Sequence, residues 1–225
     1  MTKPFINIVD PRILAIPIVE CNEALIDLKN QSELLYGPIP ESELTKNDYT
    51  KMRKTVYEKL CKAQKDLPNN YRFRIYEAFR SLLVQKMLFN QIYQDNLSKT
   101  PALSKEDLFY KTTQLISPII NLDGSINIPP HSTGAAIDIE IIDQSGKLID
   151  MGMDIKDWIQ VDSRLCESYC QTISATAKQN RQILFDVMSQ HGFINYPSEW
   201  WHFSYGDRYW AYFKGKKNAI YGSVN

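Results

Sequence analysis

Two periodicities take turns along this chain. Over residues 46–66 the apolar positions Tyr49, Met52, Val56, Tyr57, Leu60 and Ala63 recur at steps of three and four, which predicts an amphipathic helix closed by Leu67-Pro68. Residues 71–80 then alternate at a period of two, with Phe73, Ile75 and Glu77 on one face, as a half-buried strand does. Ser81 follows as an N-cap for a helix through Leu82, Leu83, Met87, Leu88, Ile92 and Tyr93. Arg80 therefore falls at a strand-to-helix junction, where a guanidinium can point over a sheet edge, although a surface or capping role is the commoner one there. Ser104-Lys-Glu-Asp107 starts another helix, with Leu108, Phe109, Thr112 and Leu115 on its buried side and its end before Ser117-Pro118.

An irregular run, 118–130, leads into a second strand over 135–142, where Ala136, Asp138 and Glu140 alternate with Ile137, Ile139 and Ile141. Asp143-Gln-Ser-Gly146 reads as a turn into a further extended segment over 147–151. Residues 152–170 have no clean period and read as a loop with short helical pieces. Thr172 or Ser174 caps a helix through Ala175, Ile183, Leu184, Val187 and Met188, stopped at His191-Gly192. Two short aromatic strands, 193–196 and 200–205, flank Pro197. At the start, 13–20 and 24–29 look like an edge-like N-terminal region, and residues 36–40, with Gly37, Pro38 and Pro40, form a loop. No internal repeat, linker or low-complexity segment interrupts this order. A single α+β domain with a central antiparallel sheet accounts for all of it, residues 1–23 forming an N-terminal extension.

Composition narrows the function. At 225 residues and 44% apolar content the chain can bury a sizeable core. Lys plus Arg equals Asp plus Glu at 26 each, so there is no electrostatic footprint for nucleic acid or an anionic membrane, and small or neutral substrates are favoured. No stretch approaches a membrane-spanning length, and the first residues lack the apolar run and small-residue cleavage site of a signal peptide; the expectation is a cytoplasmic protein. Cys21, Cys61, Cys166 and Cys170 include no CxxC, so structural thiols rather than disulfides or metal ligands are expected.

The candidate chemistry lies in two stretches. One runs Asn127-Ile-Pro-Pro-His131-Ser-Thr-Gly134-Ala-Ala-Ile-Asp138, the other Ser198-Glu199-Trp-Trp-His202-Phe-Ser204, and together they hold two of the three histidines. His131, Asp138 and His202 supply three ligands of types that suit zinc, and three protein ligands with a place for water make a catalytic rather than a structural site. Asp138 lies among isoleucines, where a carboxylate is costly to bury without a cation. Trp200, His202 and Ser204 share a strand face, so Glu199 belongs at the strand's entry, within reach of the site water without ligating. Gly134 suits a close backbone approach or positive φ between the first two ligands. His191, at a helix end, needs only a capping role.

At His131-Ser-Thr-Gly134-Ala-Ala-Ile-Asp138 and Glu199-Trp-Trp-His202 the chain resembles the D-alanyl-D-alanine dipeptidases of the zinc D,D-peptidase superfamily. The resemblance extends to Glu77-Ala-Phe-Arg80-Ser-Leu-Leu-Val-Gln85, Asp150-Met-Gly152, Asn180-Arg181, Trp201-His-Phe-Ser-Tyr-Gly-Asp-Arg-Tyr-Trp210-Ala and Ala219-Ile-Tyr-Gly222. It implies an α+β fold with a small central antiparallel sheet flanked by helices, and one zinc ion on His131, Asp138 and His202. Glu199 would then be the general base and later proton donor, with Arg80 stabilising the oxyanion. A family aspartate that holds the substrate ammonium corresponds to Asp154 or Asp157. Where the superfamily often has serine two positions before the first histidine this chain has Pro129, a departure at one substrate-carboxylate contact. The implied reaction is hydrolysis of a small D,D-dipeptide, D-Ala-D-Ala, with no nucleic-acid or membrane partner. A D,D-carboxypeptidase or endopeptidase on peptidoglycan stems, or a catalytically silent zinc module, are the alternatives; Glu199 and Arg80 argue against the silent module, which requires neither.

Overall fold

The structure, a computed structural model, describes residues 5–40, 43–68 and 70–224; residues 1–4 of the expected N-terminal extension lie outside the described set. In chain order the elements are α1 (Pro11–Leu14), β1 (Leu25–Asp27), β2 (Leu35–Tyr36), β3 (Lys51–Arg53), α2 (Lys54–Gln64), β4 (Tyr71–Glu77), α3 (Leu82–Lys99), α4 (Lys105–Thr112), β5 (Ala136–Asp143), α5 (Ala175–Gln190), β6 (Ile194–Asn195), β7 (His202–Ser204) and α6 (Arg208–Phe213). Five strands form one sheet in the order β2-β4-β5-β7-β6, and β1 pairs with β3 in a separate ribbon. The ladder from β4 to β6 is antiparallel, as expected. At the β2 edge it is not: β2 runs parallel to β4, because the chain between them makes the long crossover that parallel pairing demands, with α2 in it.

The alternation in β4 and β5 gives the sheet two unlike faces. Phe73 and Ile75 of β4, Ile137, Ile139 and Ile141 of β5 and Phe203 of β7 join Val56 and Leu60 of α2 and Leu184 and Met188 of α5 in the main core. Each such side chain, fully buried, contributes roughly 1.5–3 kcal/mol. The other face carries Arg74, Asp138, Glu140 and His202, and the functional site is built there.

Several boundaries differ from the expected ones. The helix expected over 46–66 begins only at Lys54, because 51–53 is committed to pairing with β1 in the register Leu25↔Arg53, Ile26↔Met52, Asp27↔Lys51. Helix α4 ends at Thr112, leaving Leu115 in the following turn. The segment after Gly146 forms no strand; it makes a single bridge, Ile142↔Leu148, since Asp143 Oδ1 accepts from the backbone N–H of Ser145 and Lys147 and tightens the turn. Residues 11–14 are helical, N-capped by Asp10 with Pro11 in the first turn, and of the expected extended run 13–20 a bridge of Ile18 with Ala219 remains, whereas the run 24–29 does hold a strand, β1. Ser81, Ser104 and Ser174 all cap as expected, each accepting from the backbone N–H three residues on. Among the described residues no helix is long and apolar enough to cross a membrane.

Gly134 is the backbone hinge between the loop and strand that meet at the site. Its φ is +70°, and a Cβ there would stand 2.2 Å from Leu25 Cδ2. Gly134→Ala is expected to destabilise the fold by about 1–2 kcal/mol from the left-handed backbone alone, more if Leu25 cannot turn aside. Urea denaturation checks this, and an unchanged midpoint would show that the turn has another conformation available.

Candidate active site

The sheet assembles the site as a cross-strand row. In register, Glu77 of β4 opposes Asp138 of β5, and Asp138 opposes His202 of β7. Paired residues project to the same face of a sheet, so three side chains far apart in sequence meet on the polar face. Glu77 reaches this row through an irregularity. The register passes from Ile75↔Ile139 directly to Glu77↔Asp138, so Tyr76 is the extra residue of a β-bulge. Simple alternation puts Glu77 with Phe73 and Ile75 on the core face; the bulge turns it to the site face, which corrects that expectation.

His131 arrives from the adjoining loop, in a short 3₁₀ turn over His131–Thr133 that ends at Gly134. Its Nδ1 lies 2.7 Å from the Ala78 carbonyl oxygen. An N–H there fixes the tautomer and leaves the Nε2 lone pair facing the row. His131 Nε2 and His202 Nδ1 are 3.1 Å apart, His202 Nδ1 and Asp138 Oδ1 3.1 Å, and His131 Nε2 and Asp138 Oδ1 3.3 Å. All three residues are buried, and among the described residues they form the group of potential metal ligands.

This triangle fits a zinc ion. Ligands placed tetrahedrally at ~2.0–2.1 Å from zinc stand roughly 3.3 Å from one another, which is the spacing observed. Without the ion the three groups hold one another: burial alone would raise the Asp138 carboxyl, but the imidazoles, His131 above all, more than reverse this and hold it well below the usual carboxylate range, while against burial Asp138 raises His131 in turn, so that an incoming cation takes the place of a proton. Burial lowers the His202 imidazole, with Asp138 only partly opposing, so a neutral ring with a free lone pair is favoured. Cysteine stays out of the group, as expected. Burial first, then the field of Glu199, push the Cys166 thiol up to about 12. The four cysteines are free.

Glu199 sits before β7 in a tight turn, its N–H donating to the Tyr196 carbonyl at 2.9 Å, as its place ahead of the strand requires. Its Oε2 is 3.7 Å from His202 Nδ1, beside the ligand triangle without joining it. Asn195 holds this turn: its Nδ2 donates to the carbonyls of Glu199 and His202, both at 3.0 Å, while its Oδ1 accepts from Ser168 Oγ. Arg80 is buried and reaches the same cavity from the β4–α3 junction. Its Nε donates to Glu77 Oε1 at 3.0 Å, its Nη2 to Glu77 Oε2, and its Nη1 to Gln85 Oε1 at 3.0 Å. Gln85 is held in turn by the Ser117 carbonyl. The guanidinium is thus fixed before any substrate arrives.

His131, Asp138, His202, Glu199 and Arg80 line one cavity of about 40 Å³. Asp154 and Asp157 flank it without lining it. Asp154 precedes and Asp157 ends the turn Ile155–Asp157, of which Ile155, with the following Trp158, does form part of the wall, and Asp154 is exposed, 3.5 Å from Lys156 Nζ. His191 lies apart from the site, its Nε2 2.6 Å from Asp66 Oδ2. Glu77, Gln85 and Asn195 are the functional supports that sequence reasoning missed. Glu77 and Gln85 stand at the two ends of the segment around Arg80 that carries the resemblance, with no role attached to either.

The sequence profile of the family Peptidase_M15, described as D-ala-D-ala dipeptidase, matches residues 43–216. A D-alanyl-D-alanine dipeptidase of Synechocystis sp. is 27% identical over 243 residues, covering 94% of this chain and 96% of that protein. One from Escherichia coli is 34% identical over 73 residues, 32% of this chain and 36% of that one. Among solved structures, the LdcB LD-carboxypeptidase aligns with a TM-score of 0.44 at 15% identity over 88% of this chain and 76% of its own.

Proposed function

This chain belongs to the Peptidase_M15 family of D-ala-D-ala dipeptidases, and from that premise we propose that it hydrolyses D-Ala-D-Ala to two molecules of D-alanine, using one zinc ion held by His131, Asp138 and His202. The observation that carries this reading is the convergence of the three-donor triangle, the Glu199 carboxylate and the Arg80 guanidinium on one buried cavity.

Zinc, when bound, supplies Lewis acidity that polarises a carbonyl and makes water acidic near neutral pH. The protein's side chains do the rest. Glu199 accepts the proton of the attacking water at its carboxylate and delivers it to the departing amine nitrogen of the second D-alanine. Arg80, already oriented by Glu77 and Gln85, donates to the oxyanion as the scissile carbon becomes tetrahedral, with no reorganisation left to perform. The proton on His131 Nδ1, spent on the Ala78 carbonyl, keeps that ring in the ligand tautomer. Asp154 or Asp157, at the two ends of the turn after β5 that carries Ile155, holds the substrate ammonium in this reading. Its setting is the cytoplasm, supported by four free thiols.

Arg80→Met is expected to reduce kcat for D-Ala-D-Ala roughly 10²–10³-fold, the usual cost of losing one preorganised oxyanion donor. Steady-state kinetics check it; a change confined to KM would make Arg80 a ground-state binding group instead.

The activity itself is tested by release of free D-alanine from D-Ala-D-Ala by zinc-loaded protein, beside an acetylated tripeptide ending in D-Ala-D-Ala. Cleavage of the dipeptide with little on the blocked tripeptide is the expected result. Preference for the tripeptide would replace the dipeptidase with a D,D-carboxypeptidase, and silence on both with zinc bound would leave a non-catalytic zinc module.

A further inference from the structure

The catalytic cavity has a much larger neighbour. A groove of about 910 Å³, lined by Phe5, Ser198 and Leu115 among others, adjoins the catalytic cavity of about 40 Å³. Leu115 lines both, and Ser198 of the groove precedes Glu199 of the cavity. The N-terminal arm touches both spaces. Ile8, nearly buried, lines the catalytic cavity alongside Tyr196 and Leu115, while the Phe5 ring packs on that same Tyr196 with centroids 5.9 Å apart and faces the groove.

The arm is held in place by contacts of its own. Asn7 Nδ2 donates to Thr113 Oγ1 at 3.1 Å, Tyr209 Oη donates to the Ile6 carbonyl at 3.4 Å, and Ile6, Ile8, Val9 and Ile13 form a satellite cluster with Phe109, Tyr196 and Tyr209, separate from the main core. It also precedes residues 43–216, the part of the chain that matches the family. An element ahead of the family-matched segment, packed into its own cluster and lining one side of the catalytic cavity, is placed to set what enters rather than what reacts.

We propose that this N-terminal arm, through Ile8 and Phe5, is a specificity determinant: it partitions the catalytic cavity from the groove and so restricts the site to a dipeptide. The inference rests on the D-Ala-D-Ala reading. A peptide that ends in D-Ala-D-Ala can be longer only on its amino-terminal side, and its additional residues need space beyond the cavity. The groove offers that space, and the arm closes the way into it. The arm takes no part in the bond cleavage.

The test is equilibrium binding, kept separate from turnover. In the Glu199→Ala background, calorimetry compares D-Ala-D-Ala with an acetylated tripeptide ending in D-Ala-D-Ala, for the native arm, for Ile8→Ala and for Phe5→Ala. Phe5 is about half exposed at 48%, so its truncation leaves the fold intact even if Ile8→Ala does not fold. The expected result is a tripeptide-to-dipeptide affinity ratio at least ~10-fold higher in each folded arm variant, the scale of a 1.4 kcal/mol steric restraint. An unchanged ratio, or a native arm that already binds the tripeptide as well as the dipeptide, overturns the partition. Failure of the activity reading shows elsewhere, as silence of the wild-type protein on D-Ala-D-Ala, whatever the binding ratio.

Discussion

Replacing Glu199 with Ala is expected to cut turnover of D-Ala-D-Ala roughly 10²–10⁴-fold, the range that a positioned general base contributes, while zinc content stays at one per chain. The two halves of this expectation come from different atoms. The donor triangle is complete without Glu199, its edges being set by His131, Asp138 and His202 alone. Glu199 is held by its backbone, through the Tyr196 carbonyl and the Asn195 amide, so removing the carboxylate leaves the turn its hydrogen bonds. Metal analysis beside kcat separates the outcomes. Loss of zinc together with activity would make Glu199 a ligand, and retention of more than a tenth of wild-type turnover would move the proton transfer to another group.

Asp138→Asn is expected to weaken zinc binding by more than ~100-fold and to abolish activity with it, because substituting even an outer partner of a metal ligand commonly costs ~10–100-fold. The reason is charge as well as geometry. Asp138 is the anion of the site, kept ionised against burial by the two imidazoles, and an amide of nearly the same shape brings no charge to offset a dication. A stability readout accompanies the affinity. Zinc at about a thousand times its Kd stabilises the wild-type fold by ~4 kcal/mol, so a chelator should lower the wild-type Tm by several degrees and leave that of Asp138→Asn where it was. Equal shifts in both would place the ion on a site without Asp138.

The parts of this site that could be read from the chain were those on strands that obey a simple period, together with His131, which stands out by residue type seven positions before Asp138. Asp138 stands out in an isoleucine alternation, His202 follows on a strand of its own, and Glu199 falls just outside that strand; nothing beyond a repeat of two is needed. The bulge at Tyr76 breaks that repeat. One inserted residue moves Glu77 from the core face to the site face, and no residue type announces it, since Tyr76 is as acceptable in a regular strand as in a bulge. Residues 51–53 were misplaced for a different reason: Met52 fits a helical stripe and a strand equally well, and the decision rests with β1, a tertiary partner. The parallel β2 edge is likewise a property of the crossover, not of Leu35 and Tyr36. The cap serines were legible because capping is local.

The row Glu77, Asp138, His202 also bears on how the chain finds its native pairing. Its contact between Asp138 and His202 closes a loop of 64 residues, a slow event in which topology governs the rate. A slip of one position between β5 and β7 would turn Asp138 to the opposite face and dissolve the ion's binding place. With zinc on His131, Asp138 and His202 as proposed, only the correctly zipped sheet would take it up, so the ion's binding energy would be withheld from every misaligned sheet, and metal uptake during refolding would be a clock for the moment the register locks.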